Sequence, residues 1–167
     1  YLFQKHAAPN DQVVSSMIHE WTAPGLETDL DTPEFQNMPK NPMGFDRLYK
    51  ILDSGEPLVG SASFFTTEEK AYLHSMNVAA LLEIRIIVNG THWGTLGVDD
   101  IYHEREWTTM EVDVIKVAAS VLGAAIERQL TDDALKHELA ERRRAEFALR
   151  FSEEKFSKAF HTTPVLM

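Results

Sequence analysis

The sequence predicts an α/β (α+β) fold: a central antiparallel sheet with helices on its faces and a long C-terminal helix projecting from the domain. Three observations predict it. Residues 80–88 and 92–99 flank Asn89-Gly90, the strongest short hairpin signal, a turn that needs positive φ twice. Two threonines each stand three residues before a glutamate, Thr66 with Glu69 and Thr108 with Glu111, and each pair opens a helix as a capping box. From Thr108 to Thr163 no proline interrupts the chain and Gly123 alone weakens a helix.

In chain order, residues 1–5 read as a strand and Pro9-Asn10-Asp11 as a turn. Residues 12–21 return as its hairpin partner, with Val14, Ser16, Ile18 and Glu20 interleaving with Val13, Ser15, Met17 and His19. Residues 22–43 carry Pro24, Pro33, Pro39 and Pro42, so they form a long loop with room for one short helical turn. Residues 44–54 form a helix with Phe45, Leu48, Ile51 and Leu52 on one face, stopped by Gly55. Residues 58–62 make a short strand. The helix capped by Thr66 runs to about Asn77. In the strand 80–88, Leu82, Ile84, Ile86 and Val88 share one side, and Leu81, Glu83, Arg85 and Ile87 the other. Gly94 and Gly97 in the return strand imply close approach of another group.

The last helix carries an apolar stripe at Val112, Ile115, Ala119, Leu122 and Ile126, which must face something. Beyond Gln129 only a narrow seam persists, at Leu135, Leu139 and Leu149, among Glu138, Glu141, Arg142, Arg143, Arg144 and Glu146. From residue 108 to about 150 such a helix spans roughly 60 Å, against a diameter of roughly 35 Å for a domain of the preceding size. Half of it is therefore expected to leave the domain, and the simplest cover for its seam is the same helix of a second copy. A parallel homodimer through residues 108–150 follows as an expectation. Arg142 and Glu146 fall near core positions, which makes the seam weak and able to shift register or rotate.

Composition narrows the function classes. The chain has 167 residues and a net charge of −10, with 19 acids against 9 bases up to residue 129 and 7 of each beyond it. An acidic first part argues against nucleic-acid binding and against docking on anionic lipid. No run of about 18 apolar residues occurs. There is no cysteine, which excludes disulfides, cysteine nucleophiles and thioether-linked cofactors. The start at Tyr1 reads as a cut from a longer protein. A cytoplasmic location is expected.

Nothing in the chain pairs a nucleophile with a base, or an acid with a base, at readable spacing, so no enzymatic activity is expected within it. Asp99, Asp100, His103, Glu104 and Glu106 put four carboxylates and an imidazole within eight residues, a set a hard metal could use. The plainer reading is a charged loop before a capped helix, and no metal site is expected. Glu83 and Arg85 share a face of the central strand and either read a ligand under it or pair across the sheet. Phe45, Tyr49 and Phe64, with Arg47 and Phe65, lie on segments that either lid a pocket or fill plain core. Trp21 reads as core and His19 as exposed. Phe45, Tyr49, Phe64, Glu83 and Arg85 are thus the candidate ligand-pocket residues.

Residues 81–90 (LLEIRIIVNG), 93–100 (WGTLGVDD) and 104–107 (EREW) together resemble the central hairpin of the GAF domain, a sensory module of bacterial signalling proteins, and its lead into the last helix. Glu20-Trp21, Phe45 with Tyr49, residues 52–57 (LDSGEP) with Gly60, and residues 124–128 (AAIER) resemble its other landmarks. The likeness covers residues 1–129, with the family's first helix missing. Residues 130–152, which include LAERRRAE, resemble a signalling-helix or coiled-coil linker. Residues 153–167, with FHTTP at 160–164, resemble the start of a PAS domain. The resemblance implies a non-catalytic sensory or regulatory domain of a signal-transduction protein, a sensor histidine kinase of the two-component type. It would bind a small molecule or partner of unknown identity and relay the change through a dimeric C-terminal helix. The alternative it leaves open is a ligand-free structural dimerisation module of a cyclic-dinucleotide cyclase or phosphodiesterase. Lack of cysteine removes the covalent bilin attachment of phytochrome-like members, and the residue set of cyclic-nucleotide-binding members is not seen. A third reading is a metal-dependent enzyme built on Asp99, Asp100 and His103.

Overall fold

The computed structural model describes residues 1–39, 45–61 and 63–161, with side chains through residue 156. The expected helix start at Gly44, the strand end at Ala62 and the Thr162–Pro164 part of the PAS-like segment lie outside the described residues. Six strands form one antiparallel sheet: β1 (Leu2–Ala7), β2 (Val13–His19), β3 (Met38–Pro39), β4 (Leu58–Gly60), β5 (Ala80–Val88) and β6 (Thr91–Asp100), in spatial order β3-β2-β1-β6-β5-β4. The α-helices among the described residues are α1 (Asp46–Ser54), α2 (Thr67–Ser75) and α3 (Thr109–His161).

Local chemistry sets most of these boundaries. Asn89 and Gly90 both take positive φ, 50° and 73°, as the two-residue β5–β6 turn requires. Gly55 stops α1 in the left-handed region at φ 98°. Both capping boxes form. Glu69 N–H donates to Thr66 Oγ1 at 3.2 Å while Thr66 N–H donates to Glu69 Oε2 at 2.9 Å. Thr108 and Glu111 repeat the pattern at 3.3 and 2.8 Å. In the proline-rich loop the helical turn is a 3-10 turn at Pro33–Phe35. The loop also holds β3, which pairs with β2 through Ser15 and Met38. Sequence patterning did not anticipate that strand, because two residues carry no alternation.

The chain divides into two compact units, Tyr1–Ala125 and Ile126–Met167. In the first, Leu82 and Ile86 are fully buried on one face of β5. The first turns of α3 bury Val112 and Ala119, and Gly123 lies beside the Ile86 side chain on that face. Gly123 is required there: a Cβ at this position would collide with the Ile87 carbonyl oxygen. On the opposite face, α1 and α2 bury Phe45, Leu48, Leu52 and Leu73 against Leu58, Val78 and Leu81. In the second unit α3 continues with no break to His161, and every described side chain from Glu127 onward is exposed. Ion pairs at helical spacing support it, including Lys136 with Asp133 and Arg142 with Glu138 at 3.0 and 2.9 Å. No helix among the described residues is long and apolar enough to cross a membrane.

Candidate functional site

The α1/α2 side of the sheet holds a half-open cavity of about 720 Å³, a volume suited to a drug-sized organic molecule. It lies wholly within the first unit. Tyr49 and Leu52 of α1, Tyr72 and Met76 at α2, and Trp21 and Phe35 of the long loop wall it, with Leu81 and Glu83 of β5 and Asp99 of β6 on its sheet side. Glu20 shapes the loop: its carboxylate accepts from Thr28 Oγ1 and from the Asp29 N–H, both at 2.6 Å.

The chemistry of the wall centres on two carboxylates and a phenol. Glu83 pairs with Gly97, and Leu81 with Asp99, across the β5–β6 ladder, so both acids point to the cavity face. Tyr1 lies across Gly97, where a Cβ would strike its ring. Its hydroxyl thereby donates to Glu83 Oε1 at 2.9 Å and also reaches Asp99. Asp99 Oδ1 is buried and has no hydrogen-bond partner in the structure. Burial, and then the neighbouring Glu83 charge, push the Asp99 carboxyl up to about 7. Burial likewise raises Glu83 above the ordinary carboxylate range, against the opposing hydrogen bond from Tyr1. The Tyr49 phenol is pushed up as well, by burial first and then by Glu83.

Of the residues singled out from sequence, Phe45, Tyr49 and Glu83 line this cavity. The structure does not bring Phe64 and Arg85 to it. Phe64 lies 5.3 Å from Phe65, edge to face, and under the Arg47 guanidinium at 4.5 Å. Arg47 in turn grips Glu69, with Nε and Nη2 to Oε1 and Oε2 at 3.2 and 2.5 Å. Burial opposes ionisation of Glu69, yet these bonds and the Thr66 N–H hold its carboxyl below the usual range. Arg85 donates to the Asp53 carbonyl at 3.2 Å and lines a separate recess of about 250 Å³. Its position two residues from Glu83 keeps it on the same face, but the start of the strand meets the cavity and the later part meets the end of α1. Trp21 is not core: it is 67% exposed and stacks on exposed His19 at 6.0 Å. β2 ends at His19, which leaves Trp21 on the loop at the cavity.

The loop after β6 makes local bonds. Asp100 Oδ1 accepts from the backbone N–H groups of Tyr102 and His103, both at 3.0 Å. Arg105 pairs with Glu111, and Glu106 accepts from Ser61 Oγ at 3.0 Å. No group of three or more ligating side chains that could hold a metal occurs among the described residues. The sequence groups Asp99 with this loop; the structure instead sets it beside Glu83.

Comparison with known proteins follows the same lines. The model of the GAF domain family matches residues 8–126. The methanogenesis regulatory histidine kinase FilI of Methanothrix harundinacea is 33% identical over 145 residues, covering 85% of this chain and 16% of that protein. The chain thus spans under a fifth of the length of the curated relatives it matches. Among solved structures, the photoproduct state of GAF3 from Slr1393 of Synechocystis sp. PCC6803 superposes with a TM-score of 0.61 at 21% identity, covering 80% of this chain and 85% of that one. The blue-light absorbing form of the Thermosynechococcus elongatus PixJ GAF domain gives 0.58 at 17% identity, covering 98% and 83%. At these identities the structural likeness speaks for the fold.

Proposed function

The chain belongs to the GAF domain family, and from that premise we propose that it is a non-catalytic sensory domain of a signal-transduction protein, a sensor histidine kinase, that binds a small molecule and passes the change to a paired α3. The observation that carries this reading is the 720 Å³ cavity on one face of β5, with α3 packed on the other. A filled interior would favour a ligand-free dimerisation module; an interior of this volume favours a bound molecule.

β5 is the mechanical link. Leu81 and Glu83 contact the cavity, while Ile86, on the strand's other face, lies beside Gly123 of α3. Interiors at crystal-like density do not absorb a displacement, so an occupant that moves β5 also moves the helix packed behind it. A ligand shifts the equilibrium only by its preference for one arrangement, and about 1.4 kcal/mol gives a tenfold change. The occupant is held without a thioether from this chain, which has no cysteine.

Pairing of α3 with a second, parallel copy rests on its exposed register. Val114, Val121, Leu135 and Leu149 are all exposed and are separated by seven or fourteen residues. A strict seven-residue repeat drifts about 20° per heptad on a straight helix and stays on one face only when two helices supercoil left-handedly. Conversely, Arg128 and Arg142 occupy the same register and keep the seam weak.

Fluorescence titration with neutral 1-pyrenemethanol tests the sensor reading. Saturable one-site binding, abolished by Met76→Trp, which fills the cavity from its wall, is expected. Absence of saturable binding to the folded chain contradicts it.

A further inference from the structure

Resting on the reading of this cavity as a small-molecule site, we propose that its occupant is an organic cation: a flat apolar body bearing an ammonium or other N–H-carrying cationic nitrogen, seated with that nitrogen at Glu83 and Asp99.

Charge selects the sign of the ligand. The described residues that line the cavity include Glu20, Glu27, Asp29, Glu83, Asp99 and Asp100, and no Lys, Arg or His side chain among them. An anionic ligand would enter against this field with nothing to receive it. The polar contacts inside ask for a donor. Tyr1 has one hydroxyl proton for two carboxylates. Asp99 Oδ1 remains a buried acceptor without a donor, a state that costs free energy until one arrives. The groups facing the pair are the Tyr1 phenol just before β1, Tyr49 from α1, Tyr72 at α2, Glu20 from the loop and the Tyr1 ammonium, which donates to the Gly97 carbonyl at 2.9 Å. The Tyr1 ammonium opposes part of the negative charge, yet burial still holds both carboxyls above the ordinary range, and the rest of that charge has no counterpart. A bound cationic nitrogen offsets it and donates to the open acceptor at once.

The rest of the wall suits the body of such a molecule. Tyr49, Tyr72, Phe35, Phe45, Trp21 and Tyr1 present aromatic surface to the cavity, which stacks on flat rings and attracts cations to ring faces. Aromatic surface alone would accept any flat apolar compound; the carboxylate pair is what discriminates among them.

The test uses three pyrenes that differ only in the pendant group: 1-pyrenemethylammonium, 1-pyrenecarboxylate and neutral 1-pyrenemethanol, titrated into the folded chain at pH 7.5. The ammonium is expected to bind at least about tenfold more tightly than the carboxylate, the size of one charge-assisted hydrogen bond. The double variant Glu83→Gln, Asp99→Asn is expected to erase that difference while keeping its affinity for 1-pyrenemethanol, which also shows that it is folded. The ammonium's affinity is further expected to rise between pH 6 and 8 in the natural chain and to rise less in the variant, where only the Tyr1 amine beside the site still changes charge. Equal affinity for the two charged probes, preference for the carboxylate, or an ammonium affinity untouched by the double variant overturns the cation proposal and leaves the sensor reading standing. Failure of all three to bind overturns both.

Discussion

Asp99 shows how much a single residue's placement decides. Its carboxyl is held protonated up to about 7 by burial and by Glu83, whereas an unfolded aspartate ionises near 3.9. The folded state therefore binds the extra proton between those values. Stability falls as pH rises through that window and levels off above it. Between pH 5 and 7.5 the unliganded chain is expected to lose on the order of 1–2 kcal/mol from this group, below the full linkage value because water reaches the cavity wall. Chemical denaturation of the natural chain and of Asp99→Asn at both pH values checks this: the variant's difference is expected to be smaller. Glu69 and Glu111 are lowered instead. Their stabilising effect is lost only as pH falls below the ordinary carboxylate range, outside that window. Asp99 was also the residue hardest to place from sequence. Counting back from Asn89-Gly90 with no irregularity sets Asp99 opposite Ala80, on the α3 face. The hairpin instead slips between Ile86 and Ile87: Ile87 pairs with His92 and Ile86 with Gly94. That one extra residue turns Asp99 onto the cavity face beside Glu83. A bulge leaves no mark in hydrophobic alternation, so only the structure reveals the pair.

At the scale of elements, legibility followed local chemistry. Helix starts were readable because the Thr66 and Thr108 hydroxyls accept from the otherwise unpaired backbone N–H groups of Glu69 and Glu111. The β5–β6 turn was readable because Asn-Gly is suited to positive φ. Gly94 and Gly97 marked close approach, and the structure finds the Phe3 carbonyl and the Tyr1 ring against them. What local chemistry cannot fix is which distant elements meet. Phe64 looked like a lid residue but sits with Phe65 and Arg47, because the Arg47–Glu69 bond ties α1 to the start of α2. The long loop over residues 20–38 walls the cavity through Trp21, Leu26 and Phe35 without any periodic signal. α3 carries a prediction of its own. If its exposed leucines pair with a second copy, Leu135→Asp with Leu139→Asp is expected to shift the chain toward monomer in sedimentation equilibrium, with circular dichroism of the first unit's fold retained. An unchanged oligomeric state contradicts pairing through that seam.

For the whole molecule, cavity, strand and helix form a sequence of contacts in which β5 has a different partner on each face. The sensor reading depends on that arrangement more than on any one side chain. Under that proposal, apolar burial on the α3 face couples the strand to the helix, and the acidic cavity face is where a ligand would act. Stability concentrates in the first unit, where the sheet is covered on both faces. From Glu127 onward α3 is held by backbone bonds and exposed ion pairs of small individual value. A partner or a ligand-induced bias therefore has more influence on that segment than on the sheet.

We propose that filling the cavity changes how α3 pairs. Because the chain has no cysteine, single cysteines introduced one at a time across residues 135–149 can be cross-linked without background, with and without saturating 1-pyrenemethylammonium. The account predicts that the pattern of strongly cross-linked positions shifts in phase along the helix when the probe is bound. A pattern that stays identical while fluorescence shows the cavity occupied would contradict it.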